Sequence, residues 1–261
     1  MKAIKKAIRH SSLYQTIKMA MVEKSIERWT KKDQEMVVFY NQFVKAGDLC
    51  FDVGANMGNR TKIFLSIGAR VVAVEPQDHC MRFLKEKFGE NHQVILIQKA
   101  VGERDGMREM MISEENAISS LSAEWIETVQ RSGRFSQFRW PKRQMVQLTT
   151  IDNLIHENGQ PSFIKIDIEG YEYEALKGMT KPVKCLSFEF TPEFMDAAYG
   201  CIQWLSSLGD ARFNYAIGER MQLVLPAWLR SQRMLEILSQ HENDNIFGDV
   251  YVRFRLNSAN E

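Results

Sequence analysis

No stretch of this sequence approaches the roughly 18–20 consecutive apolar residues that a membrane-spanning helix needs. Cysteine is scarce: the four are Cys50, Cys80, Cys185 and Cys201, and no two form a C-x-x-C pair. Cys50 and Cys185 lie inside apolar runs, so the set reads as buried, reduced thiols in a cytoplasmic protein rather than a disulfide framework or a zinc site. An excess of one charge is also missing. At a net +1 the chain presents no large field to nucleic acid or to an anionic membrane, and any such contact would need a local patch. The first ten residues are basic but lack the apolar run of a signal peptide. There is no internal repeat and no low-complexity tract, and the five histidines fall in no motif, which assigns them to surface or packing.

What is present is an ordinary globular composition, 44% hydrophobic and 26% charged. The 261 residues suit one large α/β domain, or one with an added element, whose core needs neither disulfides nor metals. Positions 1–46 read as helical, with Ile4, Ile8, Leu13, Ile17 and Met21 at helical spacing. From Met1 to Lys32 there are nine Lys or Arg and two acids, Glu23 and Glu27. Such a face either meets an anionic membrane surface or a partner, or caps the domain with a solvated basic side.

From Gly47 short apolar runs alternate with helical segments. Strands are expected at 49–53, 70–74, 94–98, 145–148, 163–168, 184–190, 213–217, 223–225 and 249–254. Helices are expected at 59–67, 79–88, 151–157, 171–177, 193–208 and 227–240. This alternation implies βαβ units and a mostly parallel sheet covered on both faces; pattern alone leaves the direction of the last strand open. Segment 113–144 resists the scheme and is too long for a plain connection.

The first strand runs into Asp52-Val-Gly-Ala-Asn-Met-Gly58. Glycines at the carboxyl end of a strand allow a tight turn and close approach of a ligand, where open α/β sheets bind theirs. The spacing is G-x-x-x-G, lacking the third glycine of a dinucleotide cradle, which argues for a ligand without phosphates. Glu75 ends the second strand 23 residues after Asp52; an acid there accepts hydrogen bonds from a ribose diol. Together the two elements favour a nucleoside ligand.

These residues, with Val72-Ala-Val-Glu-Pro76, Thr149-Thr-Ile-Asp152 and Ile164-Lys-Ile-Asp-Ile-Glu-Gly-Tyr-Glu172, resemble FkbM-type methyltransferases over roughly positions 47–190. The resemblance implies an α/β, Rossmann-like class I methyltransferase sheet of seven mostly parallel strands, the last antiparallel, with helices on both faces. It implies S-adenosylmethionine as cofactor and O-methylation of a hydroxyl on a sugar, glycan or other small metabolite. Carried across, it puts the methionine part of the cofactor over Asp52, Gly54, Ala55, Asn56 and Gly58. Glu75 would hold the ribose, and Ala100 and Val101, at the end of the third strand, would flank the adenine. No acid occupies that strand end to meet the adenine amino group. The chain divides accordingly into a helical cap, 1–46, and a catalytic domain, 47–261, with an insertion or lid at about 113–144.

The fourth of these strands delivers Asp167 and Glu169. In-line methyl transfer needs an aligned acceptor oxygen and a group to take its proton, and carboxylates also suit a cationic donor. If the strand continues through both residues they point the same way; if it has turned they diverge. Either one is the base or positioning group, or Asp167 caps the next helix and Glu169 pairs with a basic neighbour. Glu189 is a third candidate. These three acids offer oxygen ligands, but no metal is expected. Ser119 and Ser120 fall where the resembled family has a polar stretch beside its site. The 131–143 segment, with Arg139, carries five basic residues, three aromatics and no acid. It is either a lid for an anionic or sugar acceptor or a solvated loop pinned by its aromatics. Nucleic acid is not the expected partner. The competing readings are a nucleotide-dependent oxidoreductase, against which the missing glycine speaks, and a cofactor-binding scaffold without catalysis.

Overall fold

Leu49–Val53 is an unbroken apolar run but for Asp52, the pattern of a strand covered on both faces. In the computed structural model, which describes residues 26, 28–241, 244 and 246–255, it forms strand β1 with all five residues buried. The chain continues through β2 (Arg70–Val74), β3 (Val94–Ile97), β4 (Ala100–Val101), β5 (Gly106–Ile112), β6 (Lys142–Thr149), β7 (Phe163–Ile166), β8 (Cys185–Phe190), β9 (Ala211–Ile217) and β10 (Gly248–Phe254). Seven of these build one sheet in the order β3-β2-β1-β7-β8-β10-β9. It is parallel except for β10, which runs antiparallel to both β8 and β9.

Helices α1 (Lys31–Tyr40), α2 (Asn59–Ile67) and α3 (Asp78–Phe88) cover one face. Their core includes Met36, Tyr40, Phe64, Met81 and Leu84 against Cys50, Val71 and Phe163. The insertion carries α4 (Ala123–Ser132). The other face is covered by α5 (Ile151–Asn158), α6 (Glu172–Lys177), α7 (Met195–Leu208) and α8 (Ser231–Ser239), packed on Phe51, Ile164, Phe188 and Val250. Among the described residues no helix is long and apolar enough to cross a membrane. The expected basic helix lies, up to residue 25, outside the described residues. Helix α1, in the second half of the expected cap, packs into the core rather than only shielding it.

Four expectations need correction. The strand expected at 94–98 ends at Ile97, because its partner β2 ends at Val74 and offers Gln98 no residue to pair with. Ala100 and Val101 therefore do not end the third strand; they pair with β6 in a separate sheet of order β4-β6-β5. Residues 223–225 form no strand: the Leu225 N–H goes to the Asn214 side chain at 3.0 Å instead of to a backbone ladder. The helix expected at 227–240 begins only at Ser231. Segment 113–144 is also less irregular than its sequence suggests, since it contains α4 and a 3₁₀ turn, Asn116–Ile118.

Candidate active site

Two strand ends meet at the carboxyl edge of the sheet. After β1 the amides of Gly54 and Ala55 both bond the Val74 carbonyl, at 2.9 and 3.1 Å, which folds the loop back over β2. Gly54 has φ +83°, and a β-carbon there would stand 1.9 Å from the Asp167 carbonyl oxygen. Glycine is thus required for the β1 and β7 loops to touch. Gly58, at φ +85°, is the N-cap of α2, and its missing side chain makes room for Phe88. Asp52 is buried and its carboxylate accepts the Thr61 hydroxyl at 2.6 Å, so it orders the turn from beneath. Burial raises its pKa, against that hydrogen bond.

A cavity of about 470 Å³ opens over this turn. Of the expected residues, Gly54, Asn56, Glu75, Ala100, Val101, Ser119, Asp167 and Glu169 line it. Asp52, Ala55 and Gly58 do not. Glu75 is 2% exposed. Its two oxygens each accept one backbone N–H, from Asn56 and from Gln77, both at 2.8 Å. Burial nevertheless pushes its carboxyl up to about 7. The Gln77 side chain also hydrogen-bonds this carboxylate, which leaves it one further lone pair for a hydroxyl donor. The far wall comes from the insertion: Asn116, Ala117, Ser119 and Leu121 close over Val74–Gln77, and the Gln77 amide donates to the Asn116 carbonyl at 3.3 Å.

Strand β7 stops at Ile166, before either acid, yet the two do not diverge. Glu169 sits at φ +55°, and this left-handed turn brings its side chain back. One oxygen from each of Asp167, Glu169 and Glu189 lies within 4.8 Å of the others. Ser120 Oγ donates to the Glu169 carbonyl at 2.6 Å, and Glu172 accepts the Ile168 N–H at 3.0 Å, so the turn is held from both sides. Burial, then the neighbouring carboxylates, drive Glu169 and Glu189 well above the usual carboxylate range. Three crowded acids are relieved either by keeping protons or by a cation, be it a sulfonium, an ammonium or a hard metal ion with oxygen ligands.

Below them lies a residue that sequence reasoning passed over. Lys165 is 1% exposed. Its ammonium pairs with Asp167 at 3.1 Å and with Asp249, on β10, at 2.8 Å. Burial alone would depress Lys165, but the two carboxylates outweigh it and hold it charged. A lysine in the middle of an apolar strand, two residues before an acid, was the available signal. Asp167 thus bonds its own strand's lysine, and among the described residues it caps no helix: the N-cap of α6 is Tyr171, without a side-chain bond.

Glu189 reaches a second, smaller cavity of about 270 Å³ with Glu172, Trp125 and Phe194. Gly170, Phe194 and Ala197 also border an open groove of about 1930 Å³ that carries Tyr171, Tyr173, Arg108 and Glu124. Leu121 lines both that groove and the first cavity. Arg139 lines none of these cavities; its side chain is exposed and its carbonyl accepts the Glu114 N–H at 3.0 Å. The aromatics around it are anchors. Phe135, Phe138 and Trp140 pack on Ile118, Trp125 and Val129, and Trp140 Nε1 donates to the Ile118 carbonyl at 2.7 Å. Arg134 is taken by Glu193 at 2.7 Å.

The family described as the methyltransferase FkbM domain matches residues 52–215, more than half of the chain. No curated protein matches by sequence. Similar solved structures include a precorrin-6y C5,15-methyltransferase from Geobacter metallireducens, at 9% identity and TM-score 0.46, covering 84% of this chain and 87% of that one. An rRNA methylase from Streptococcus thermophilus aligns at 11% identity and TM-score 0.41, over 84% of this chain and 93% of its own. A Streptococcus mutans protein solved in complex with SAH aligns at 9% identity and TM-score 0.40, over 87% and 99%. At such scores these likenesses do not bear on chemistry or acceptor.

Proposed function

Because this chain belongs to the FkbM methyltransferase family, and is thus an S-adenosylmethionine-dependent methyltransferase, we propose that it methylates a hydroxyl oxygen of a sugar, glycan or other small metabolite. The observation that carries the reading is the convergence of Asp167, Glu169 and Glu189 at the boundary between the cavity over Gly54 and the cavity leading to the outer groove. The cavity fits the cofactor: a glycine turn permits close approach, Glu75 offers a remaining acceptor to a diol, and the crowded acids suit a cation. When bound, the cofactor supplies an electrophilic methyl carbon on a positively charged sulfur. In this reading Gly54 and Asn56 flank its amino-acid part, Glu75 holds the ribose, and Ala100 and Val101 form an apolar wall for the base.

The acceptor then enters from the groove beside Tyr171 and Tyr173, whose rings suit sugar faces. A carboxylate of the acidic trio aligns the hydroxyl and receives its proton at a carboxylate oxygen as the new bond forms. Asp167, steadied by Lys165, is the group we assign to that role, with Glu169 and Glu189 holding protons or the donor's charge. In this reading residues 113–144 act as the lid over both ligands, and helix α1 is part of a cap on the catalytic domain that begins at residue 47.

Calorimetric titration with S-adenosylmethionine tests the cofactor site. We expect micromolar binding by wild type, lost in Gly54→Arg and Glu75→Ala. Transfer of labelled methyl to a panel of hydroxylated sugars tests the chemistry. Asp167→Asn should keep cofactor affinity and lose about a hundredfold or more in rate. Methylation confined to amine acceptors would overturn the oxygen assignment. Tight cofactor binding with no transfer to any panel member would favour a scaffold.

A further inference from the structure

The cavity has two ends set by strand order. Asp167 and Glu169 follow β7, Gly54 follows β1, and Glu75 ends β2, so these residues stand in sequence along the sheet edge. Beyond β2 the cavity closes on Gln77, Lys99, Asn116 and Ala117. A nucleoside whose ribose meets Glu75 and whose sulfur faces the acids therefore directs its base at this end. Among the described residues no acid lines that end: β3 ends at Ile97 and the chain leaves for the small sheet through Gln98 and Lys99.

Gln77 is 3% exposed. Its backbone N–H is used by Glu75, and its side chain by the Glu75 carboxylate and, through the amide nitrogen, by the Asn116 carbonyl. The bond to Asn116 fixes the orientation of the amide, since the reverse would set two carbonyl oxygens against each other. What remains is Oε1, buried and without a hydrogen-bond donor among the described residues. A buried carbonyl oxygen without a partner is destabilising, and this one belongs to a residue of the cavity wall.

We infer that Gln77 is a specificity-determining residue whose Oε1 accepts a hydrogen bond from the exocyclic amino group of the cofactor's adenine. The inference rests on the placement of the cofactor proposed above. It gives the 3₁₀ turn Asn116–Ile118 a purpose: the Asn116 carbonyl holds the Gln77 amide so that its oxygen faces the base. The site then rejects a purine with a carbonyl at that position, because two acceptors would face each other in a dry pocket.

The test needs no acceptor. S-adenosylhomocysteine and S-inosylhomocysteine, which differ in that one group, are titrated into wild-type protein and into Gln77→Met. Wild type should prefer the adenosyl ligand by about tenfold or more. In Gln77→Met the preference should fall to near parity, mainly through weaker adenosyl binding. Equal affinity of wild type for both ligands overturns the inference, whether or not the variant folds. So does an equal weakening of both ligands in the variant, which would place the oxygen on the ribose or on the loop. Should Gln77→Met lose its fold, Gln77→Asn withdraws the oxygen by one methylene and carries the same two expectations. A folded wild type that binds neither ligand would bring down the cofactor placement itself, a result distinct from parity.

Discussion

At Gly54 the β-carbon of an alanine would lie 1.9 Å from the Asp167 carbonyl oxygen, on a backbone at φ +83°. Gly54→Ala must therefore part the β1 and β7 loops, and we expect cofactor affinity to fall at least tenfold, read by calorimetry. The acids give a second prediction. Glu75 and Glu172 are pushed up to about 7 by burial, and Glu169 and Glu189 well above their ordinary value. A carboxyl whose pKa is raised by folding contributes stability that is fully present below the unfolded value. That stability is lost as pH rises through the folded value. The cofactor-free protein should therefore melt at lower temperature at about pH 8 than at about pH 5. Glu189→Gln should recover a few degrees at the higher pH and little at the lower. A melting temperature independent of pH in both proteins would refute the crowding of these acids.

Among the elements, α4 is the one that sequence reading missed although its signals were present. Trp125, Ile126 and Val129 share a face, Ser122 accepts the Trp125 N–H at 3.1 Å as N-cap, and Gly133 closes the helix at φ +91°. The basic and aromatic run after it drew the segment towards a lid of loops. The turn at Gly170 shows what α4 is for. A β-carbon there would stand 2.2 Å from the Trp125 ring, so the indole lies directly on the turn that carries Glu169. Trp125→Ala should destabilise the protein by about 3–5 kcal/mol. Hydrogen exchange should then quicken in residues 113–144 and 167–172 ahead of the main sheet. Uniform loss of protection across the chain would mean that the insertion is not a separate unit of packing. Strand β5 was missed for a different reason: Gly106–Ile112 lacks alternation, and its first four residues are exposed.

Across the whole molecule, Lys165 ties the site to the fold. Register pairs Lys165 with Asp52 on β1 and with Ser187 on β8, and Ser187 with Tyr251 on β10, so a polar row crosses the middle of the sheet. From β7 the ammonium reaches past β8 to Asp249 on β10. Removing it leaves two carboxylates without their cation. Lys165→Met should cost about 3–5 kcal/mol in urea unfolding, with part of the loss recovered by adding Asp249→Asn. Additive losses in the double variant would show that the pair is not coupled.

The parallel strands β1, β2, β7 and β8, most of the helices between them, the glycine turn and Glu75 were legible in the chain. Each rests on local signals: unbroken apolar runs, helical periodicity, and glycine where the backbone must turn left-handed. Four things depended on tertiary structure. The antiparallel placement of β10, implied by the family resemblance but open in the local pattern, came from pairing partners more than thirty residues away. Ala100 and Val101 left the main sheet for a small one. Asp167, Glu169 and Glu189 converged because a left-handed residue turned the chain after β7 had ended. The orphaned oxygen of Gln77 emerged only once Asn116, 39 residues on, had claimed its amide nitrogen. Periodicity records which face a residue presents, but carboxylate distances and unpaired atoms depend on groups brought together from distant parts of the chain.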